Sequence, residues 1–447
     1  MNFQQQLSQI IETSGAPGAS FAYWDGATLH TAVAGKRNSV TGDPVTQDTL
    51  MHIGSISKLL NTVLMMQLVD DGLIRLEDPV IKHLPQLRLR DMTALSKITC
   101  AMLVNHTSGI DGMLLPDHGP DRERIADAIE RFAELGQLHE PGGGPSYCNA
   151  ATVIAGYLAQ TLRGESWYTL IKQRIYEPLE MRHALADISD LPRFRHSVGD
   201  VTDPATGKLV QTTRPFLPLS FAPAGATLMM SATDLVSFAR ALLNGGAGLN
   251  GARILSAEST ARMTQPTADI VLPVGWRWGL GWMLLPGELL FHSGSGPGVA
   301  AFLYAQPQTG RVAVLLTNCD RKDAVYPAML EPIIESWTGL RPHKPQPSSA
   351  PLDPAPYLGV FENVMVRGEI VAHGKGIGMR MGWKARVYDN SQATTPVLPL
   401  VSLSEHQFDT PYIPGIVQIG AIRFVNPDAS GRMGALGFNV HLLMRSA

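Results

Sequence analysis

The sequence predicts an α/β (α+β) chain in two folded units, with antiparallel strands and helices in the first and only short strands in the second. Its 447 residues exceed what a single hydrophobic core usually accommodates. Helical and strand patterns are mixed as far as residue 340, whereas short alternating strands and turns fill residues 357–447 without a helical pattern. Because residues 341–356 are rich in proline, we expect a linker there and domains at 1–340 and 357–447.

The composition argues against several classes of protein. A hydrophobic fraction of 45% and a charged fraction of 17% are typical of a globular chain. The net charge of −3 gives no electrostatic reason to expect nucleic acid or an anionic membrane as a partner. No run of about 18 apolar residues is present, and residues 1–7 lack a signal-peptide pattern, so we expect a cytoplasmic protein. With neither a Walker loop nor a His-Glu-x-x-His motif, we expect no cofactor and no metal.

The elements of the first unit follow from hydrophobic periodicity and turn residues. An amphipathic helix is expected at 3–13, and a β-hairpin over 19–33 turns at Asp25-Gly26. Further helices are predicted at 121–135, 150–162, 167–176, 232–243 and 324–340. Strands are predicted at 278–282, 289–291, 299–304 and 312–317, and a turn at 307–310 indicates an antiparallel meander.

The strongest chemical signal is Ser55-x-x-Lys58, at the head of an apolar run that continues to Val69 and ends before Gly72. If Ser55 opens a helix, Lys58 lies one turn later on the same face, within hydrogen-bond reach of the hydroxyl. The run is nearly all apolar, which predicts that the lysine is buried. Burial lowers the pKa of a lysine and turns it into a base for serine, a weak nucleophile at neutral pH. The alternative is a serine cap followed by a surface lysine.

Two further segments place polar side chains at the ends of elements. Tyr147 and Asn149 follow a glycine- and proline-rich loop and lead into a helix, a junction that commonly presents side chains to a cleft. His292, Gly294 and Ser295 lie in a glycine-rich stretch between strands, where small residues allow another backbone to approach. A substrate carbonyl at this edge would meet the Ser295 N–H. Each segment taken alone also fits an ordinary turn.

The three motifs occur in the order Ser55-x-x-Lys58, Tyr147-x-Asn149 and His292-x-Gly294. In this order they resemble the signatures of the serine β-lactamase and penicillin-binding-protein superfamily. The resemblance covers about residues 8–340. It is closest to the class C β-lactamase-like branch, which includes esterases, D-amino-acid peptidases and acyltransferases. Flanking stretches that also resemble this branch are Asn105–Gly109, Pro223–Gly225, Asp234–Leu235 and Gly279–Trp282.

The resemblance implies a fold and catalytic roles. The implied fold is a central antiparallel sheet flanked by helices, with an all-helical lobe and Ser55 between them. Ser55 is the implied nucleophile, which becomes acylated, and Lys58 and Tyr147 share the proton transfers. Asn149 is expected to orient the substrate amide or the lysine.

The resemblance also implies a substrate-binding edge and a second domain. The backbone N–H groups of Ser55 and Ser295 form the implied oxyanion hole, and His292 and Gly294 line the substrate site. Residues 353–362 are similar to the start of the lipocalin-like barrels that some family members carry. These members include D-aminopeptidases and penicillin-binding-protein-type thioesterases. We therefore expect a small β-barrel at 357–447.

One departure from the family pattern bears on the substrate. His292 stands where many members carry lysine, and a largely neutral histidine removes a fixed cation for a carboxylate. The expected activity is hydrolysis of an ester or amide of a small-molecule or peptidyl acyl substrate through acyl-Ser55. One alternative is an acyltransferase, thioesterase or peptide cyclase that uses the same acyl-enzyme, with a carrier-protein-bound thioester left open as its substrate. The other is a catalytically inactive scaffold.

Overall fold

The computed structural model describes residues 2–112, 125–203, 206–340, 346–348, 350–384, 394–410, 421–438 and 440–446. Parts of three predicted segments lie outside these ranges: residues 121–124 of a helix, 341–345 and 349 of the linker, and 385–393, 411–420, 439 and 447 of the barrel. The α-helices, in chain order, are α1 (Phe3–Ser14), α2 (Ser57–Asp70), α3 (Val80–His83), α4 (Met92–Leu95), α5 (Ile125–Arg131), α6 (Asn149–Arg163), α7 (Trp167–Ile171), α8 (Ala232–Leu243), α9 (Ala257–Met263), α10 (Lys322–Met329) and α11 (Glu331–Thr338). Short 3-10 helices are Gly54–Ile56, Ala101–Leu103, Phe132–Glu134, Ile188–Arg193 and Leu219–Ala224, and a π-helix follows α7 at Lys172–Tyr176.

Over the described residues, the strands fall into two larger and two smaller sheets. Those of the first unit are β1 (Gly18–Trp24), β2 (Leu29–Gly35), β3 (Met51–His52), β4 (Ala184–Leu185), β5 (Asp200–Thr202), β6 (Leu209–Gln211), β7 (Met229–Met230), β8 (Ala268–Asp269), β9 (Arg277–Trp278), β10 (Met283–Leu285), β11 (Leu289–Gly296), β12 (Val299–Gln306) and β13 (Arg311–Thr317). Those of the second unit are β14 (Gly359–Glu362), β15 (Val366–His373), β16 (Gly376–Trp383), β17 (Leu398–Pro399), β18 (Val401–Ser404), β19 (Gln407–Asp409), β20 (Ile422–Pro427), β21 (Met433–Phe438) and β22 (His441–Arg445).

The first unit is built on an antiparallel sheet with the strand order β2-β1-β13-β12-β11-β10-β9-β8. The hairpin predicted over 19–33 forms as β1 and β2. The side chains of β13 alternate between two hydrophobic cores, because Val314 faces one of them and Leu315 faces the other. Both faces of the sheet are therefore covered.

Helices cover these two faces. α1, α10 and α11 lie on one face, where Leu7 and Val325 join the core of the sheet. α8 packs on the other face and connects the sheet to a helical lobe that contains α2, α5, α6 and α7. α2 lies at the centre of this second core, and every side chain from Ser57 to Leu68 is buried. Within the described ranges, none of the helices is both long and apolar enough to cross a membrane.

Two elements of the first unit differ from the sequence prediction. The helix predicted at 324–340 is two helices that meet at Leu330, because Pro332 has no N–H to continue the hydrogen-bond ladder. The strand predicted at 278–282 is interrupted between β9 and β10, where Gly281 adopts a φ of +77°. A left-handed residue of this kind turns the chain and ends an extended segment.

The second unit is an antiparallel sheet with the strand order β17-β16-β15-β14-β22-β21-β20-β19-β18 over its described residues. Its two edge strands, β17 and β18, are separated along the chain only by Leu400. Edges this close in sequence lie near each other in space, so the sheet curls into a nearly closed barrel. Phe361, Phe408 and Phe424 pack together in its core. The small β-barrel is confirmed, and the domain boundaries remain predictions.

Candidate active site

Ser55 lies in the short 3-10 turn that precedes α2, not in the helix itself. The sequence predicts that Ser55 opens the helix, but the helix begins two residues later, at Ser57. Gly54 has a φ of +53° and redirects the chain ahead of α2. The turn packs against β11. A Cβ on Gly54 would lie 2.7 Å from the Ser295 nitrogen, and one on Gly294 would overlap the Ile53 carbonyl oxygen. The two glycines therefore bring the Ser295 N–H next to the Ser55 turn.

Lys58 lies one turn beyond Ser55, and its Nζ donates a hydrogen bond to Ser55 Oγ at 3.2 Å. A second hydrogen bond goes to the Ala224 carbonyl. The lysine is only 2% exposed, and desolvation holds the pKa of its amine well below the ordinary value. The expected proximity and burial are both present, and the alternative of a surface lysine is wrong.

A buried histidine fixes the backbone just before Ser55. His52 Nδ1 accepts a hydrogen bond from the Gly54 N–H at 2.9 Å, so its Nε2–H donates to the Ala226 carbonyl at 3.0 Å. Burial lowers the pKa of His52, which keeps the ring in this neutral form. Gly225 closes the same side, because a Cβ there would lie 2.7 Å from the Gly54 carbonyl oxygen. His52 was not among the predicted site residues.

Tyr147 is the third predicted catalytic residue, and it faces Lys58. Lys58 Nζ lies 4.6 Å from the centroid of the Tyr147 ring. Burial raises the pKa of the Tyr147 phenol above its usual value, and the Ser55 hydroxyl opposes this in part. Asn149 is the first residue of α6, two residues beyond Tyr147, at the junction that the sequence predicts. Ser55, Lys58 and Tyr147 thus form one cluster.

His292 lies on β11 and is only 1% exposed. Its Nδ1–H donates to the Ser293 carbonyl at 2.9 Å, so Nε2 is an unprotonated acceptor. Within the described residues this Nε2 is buried without a hydrogen-bond partner. Burial and the nearby Lys58 lower the pKa of His292 to about 3. The imidazole is therefore neutral at neutral pH, as the sequence suggests.

Among the described residues, no strand pairs with the β10 side of β11 at the third motif, and we call this side its open edge. β10 pairs with β11 only at Leu289–Phe291, whereas β12 pairs with it from Leu290 to Gly296. Ser295 is exposed on this strand. The backbone beyond His292 is thus available on its β10 side to an extended ligand.

Aromatic rings surround Tyr147. His106 stacks on it with centroids 4.4 Å apart and an interplanar angle of 32°, and Trp278 packs edge-on against His106 at 4.5 Å. His106 Nδ1 also accepts a hydrogen bond from the Cys148 N–H at 3.2 Å. His106 has a φ of +63°, a rare conformation for a residue other than glycine and one that clusters at functional sites.

One neighbour of Tyr147 comes from the second unit. The ring of His441 lies edge-on to the Tyr147 ring, with centroids 5.4 Å apart and an interplanar angle of 89°. Sequence analysis missed His441, because a position 294 residues away carries no local signal of this contact. His106 lies within a stretch that resembles the family, which was the available signal for it. Among the described residues, no three His, Cys, Asp or Glu side chains are grouped as metal ligands.

Comparison with known proteins bears on the family and the fold. The sequence model of the Beta-lactamase family matches residues 3–333. Penicillin-binding protein 4 of Amycolatopsis lactamdurans is 30% identical over 372 residues, covering 81% of this chain and 97% of that protein. The crystal structure of SurE aligns with a TM-score of 0.78 at 23% identity, over 99% of this chain and 98% of that one. D-amino acid amidase from Ochrobactrum anthropi SV3 aligns with a TM-score of 0.62 at 24% identity, over 75% of this chain and 98% of that one.

The two structural likenesses, at 23% and 24% identity, support the fold alone. The family match spans most of the chain, and the Amycolatopsis relative is aligned over nearly its whole length. The three motifs that prompted the resemblance lie inside the matched region. The protein therefore belongs to the Beta-lactamase family, within the superfamily of serine hydrolases that includes the penicillin-binding proteins.

Proposed function

We propose that the protein hydrolyses an ester or amide bond of a small-molecule or peptidyl substrate through an acyl-Ser55 intermediate. The observation that carries the proposal is the 3.2 Å hydrogen bond between Lys58 Nζ and Ser55 Oγ, on a lysine that is almost fully desolvated. A serine hydroxyl needs an adjacent base, and a desolvated lysine supplies one. The fold shared with a D-amino acid amidase is consistent with this chemistry.

Lys58 rather than Tyr147 takes the proton from Ser55 in this proposal. Burial lowers the pKa of Lys58 and raises that of Tyr147, which favours a neutral amine beside a neutral phenol. In the neutral amine the Nζ lone pair faces the Ser55 hydroxyl, and the hydroxyl proton passes to Nζ as the bond from Ser55 Oγ to the acyl carbon forms. The Tyr147 hydroxyl protonates the leaving group as its bond to the acyl carbon breaks, and Lys58 then reprotonates Tyr147. In deacylation, water forms a bond to the acyl carbon and passes a proton to Lys58 Nζ. The bond between the acyl carbon and Ser55 Oγ breaks as the Tyr147 hydroxyl protonates Oγ, Lys58 then reprotonates Tyr147, and the free acid leaves.

The backbone N–H groups of Ser55 and Ser295 form the proposed oxyanion hole. The close approach of Gly54 to the Ser295 nitrogen supports this pairing, because it sets the two donors on adjoining segments. Each donor of this kind contributes about 3 kcal/mol to the stability of the transition state. A substrate chain laid along the open edge of β11 would direct its carbonyl to the Ser295 N–H.

The substrate expected from His292 is one without a carboxylate at this position. Its neutral ring presents an acceptor nitrogen, so it attracts an N–H or O–H group and offers no charge to an anion. Asn149, at the start of α6, is proposed to orient the amide of the substrate or Lys58. Esters, thioesters and uncharged amides fit this site better than penicillins do.

A second candidate function is acyl transfer or peptide cyclisation from the same acyl-Ser55. The observation that favours it is the open edge of β11 between His292 and Gly296, which can hold an extended peptidyl chain or thioester. An amine or alcohol then resolves the ester in place of water. The two functions share every step up to acylation and differ only in the acceptor.

Intact-mass spectrometry separates these functions. The protein and Ser55→Ala are incubated in parallel with a p-nitrophenyl ester, a D-amino-acid amide, a peptidyl thioester and a penicillin. We expect a covalent adduct or turnover with at least one of the first three, and none with Ser55→Ala. Free acid as the product identifies a hydrolase, whereas an aminolysed or cyclised product identifies a transferase. Turnover by Ser55→Ala equal to that of the wild type would refute the mechanism.

A further inference from the structure

We propose that the C-terminal barrel is part of the active site, with His441 as a positioning residue for Tyr147. This inference rests on the proposed function, in which the Tyr147 hydroxyl exchanges protons at Ser55. It concerns the turn residues Val440, His441 and Leu442, at the start of β22, which contact the loop that carries Tyr147.

Backbone hydrogen bonds join the turn to the loop. The Tyr147 N–H donates to the Val440 carbonyl at 2.9 Å, and the Leu442 N–H donates to Ser146 Oγ at 3.1 Å. His441 Nδ1–H donates to the Tyr147 carbonyl at 3.3 Å. The N–H and the carbonyl of Tyr147 are thus both held by the second unit.

The loop has no regular structure of its own. Residues 144–148 belong to neither a helix nor a strand, so contacts from outside the loop hold it in place. On the side of the first unit, the Ser146 N–H donates to the His106 carbonyl at 2.8 Å, and the Cys148 N–H donates to His106 Nδ1 at 3.2 Å. His106 and the turn with His441 therefore hold the loop from two sides.

The Tyr147 ring, like the backbone of its loop, is contacted by both units. His106 stacks on the Tyr147 ring at 4.4 Å, and His441 meets the ring edge-on at 5.4 Å. Lys58 Nζ lies 4.6 Å from the centroid of the same ring. The orientation of Tyr147 relative to Lys58 is thus set by one histidine from each unit.

The two units meet closely beyond this turn as well. The Val364 N–H at the barrel donates to Asp111 Oδ1 at 2.9 Å, and a Cβ on Gly437 of β21 would overlap the side chain of Val271. These contacts place the barrel tightly against the first unit. The turn can therefore act as a support for Tyr147.

The rate of proton transfer is sensitive to small displacements of the reacting groups. Loss of the contacts between His441 and Tyr147 should therefore slow the chemical step more than it weakens substrate binding. A shift of about 1 Å in a reacting group costs on the order of 100-fold in rate. We expect His441→Ala to lower kcat for a p-nitrophenyl ester by about tenfold or more, with KM changed by less than about threefold.

Two further variants separate positioning from folding. His441→Asn keeps an N–H donor near the place of Nδ1–H and is expected to recover most of the rate, whereas His441→Phe keeps only the ring and stays slow. His373→Ala, an exposed histidine of β15 in the same barrel, is the matched control and should keep wild-type rates. Circular dichroism identifies the variants that fold.

The decisive measurement is a double-mutant cycle with Tyr147→Phe. In the Tyr147→Phe background, His441→Ala should change kcat by less than about twofold, because the hydroxyl that it positions is gone. An equal loss in both backgrounds, or wild-type kcat in folded His441→Ala or His441→Phe, would overturn the inference. Failure of the proposed function is distinguishable, because it shows as retained turnover by Ser55→Ala whatever the His441 variants do.

Discussion

The Ser55 turn and the Tyr147 loop meet at one site but are held in place in different ways. The Ser55 turn is fixed by its own α2 and by glycines that pack on β11. The Tyr147 loop is fixed by His106 and by a turn of the C-terminal barrel, both distant in sequence. The proposed nucleophile and base are therefore encoded locally, whereas the orientation of Tyr147, the proposed second proton-transfer group, depends on how the two units pack.

The largest expected effect lies on the Ser55 side of this comparison. Lys58→Arg keeps a cation but removes the base, because a guanidinium does not deprotonate in proteins. We expect kcat/KM for a p-nitrophenyl ester to fall by about 1,000-fold. Lys97→Arg, at an exposed lysine paired with Glu140, is the control and should match the wild type. Activity of Lys58→Arg within about tenfold of the wild type would contradict a base role for Lys58.

The second prediction sharpens the role of the glycines on β11. A Cβ on Gly294 would overlap the Ile53 carbonyl, whereas one on Gly376 of β16, away from the site, would lie 3.9 Å from its nearest neighbour, Leu352. Gly294→Ala should therefore shift the Ser55 turn and lower kcat/KM by about 100-fold, while Gly376→Ala changes it by less than about twofold. Steady-state kinetics on variants that are folded by circular dichroism test this. Equal effects of the two substitutions would show that the close approach does not set the site.

The smallest expected effect concerns the buried histidines and appears in stability. The pKa of His292 is lowered from 6.5 to about 3, so between these values the unfolded chain binds a proton that the folded chain does not. Stability therefore falls as the pH drops below 6.5. For this one group the loss at about pH 5 is about 2 kcal/mol.

Urea unfolding at neutral and acidic pH measures this loss. His292→Gln has no titrating group at this position, so its free energy of unfolding should depend less on pH than that of the wild type. His373→Ala, at an exposed histidine, should keep the wild-type pH dependence. Identical pH dependence of His292→Gln and the wild type would show that His292 is not buried as a neutral ring.

The sequence predicted those features of the site whose residues lie close together along the chain. The spacing of Ser55 and Lys58 predicted their hydrogen bond, and the apolar run predicted the burial of α2. The barrel could be predicted from the short strands after residue 356, since their pattern differs from that of the first unit. The break at Pro332 was also readable from the residue itself, although the prediction ran one helix across it.

Other features depend on tertiary packing and had no local signal. His52 links the Gly54 N–H to Ala226, and His441 reaches Tyr147 only because the barrel lies against the first unit. No periodicity or spacing in the sequence around His52 or His441 distinguishes them from histidines on the surface. The tautomer of His292 likewise follows from its carbonyl partner, which only the folded strand reveals.

The most direct test of the account is the pH dependence of the acylation step, measured as the pre-steady-state burst from a p-nitrophenyl ester. The proposed mechanism requires a desolvated Lys58 that is neutral near neutral pH. The burst rate should therefore reach its plateau well below the ordinary lysine pKa of 10.5 and stay flat above it. A rate that keeps rising until the pH passes that ordinary value would show that Lys58 is not desolvated and would contradict the central claim.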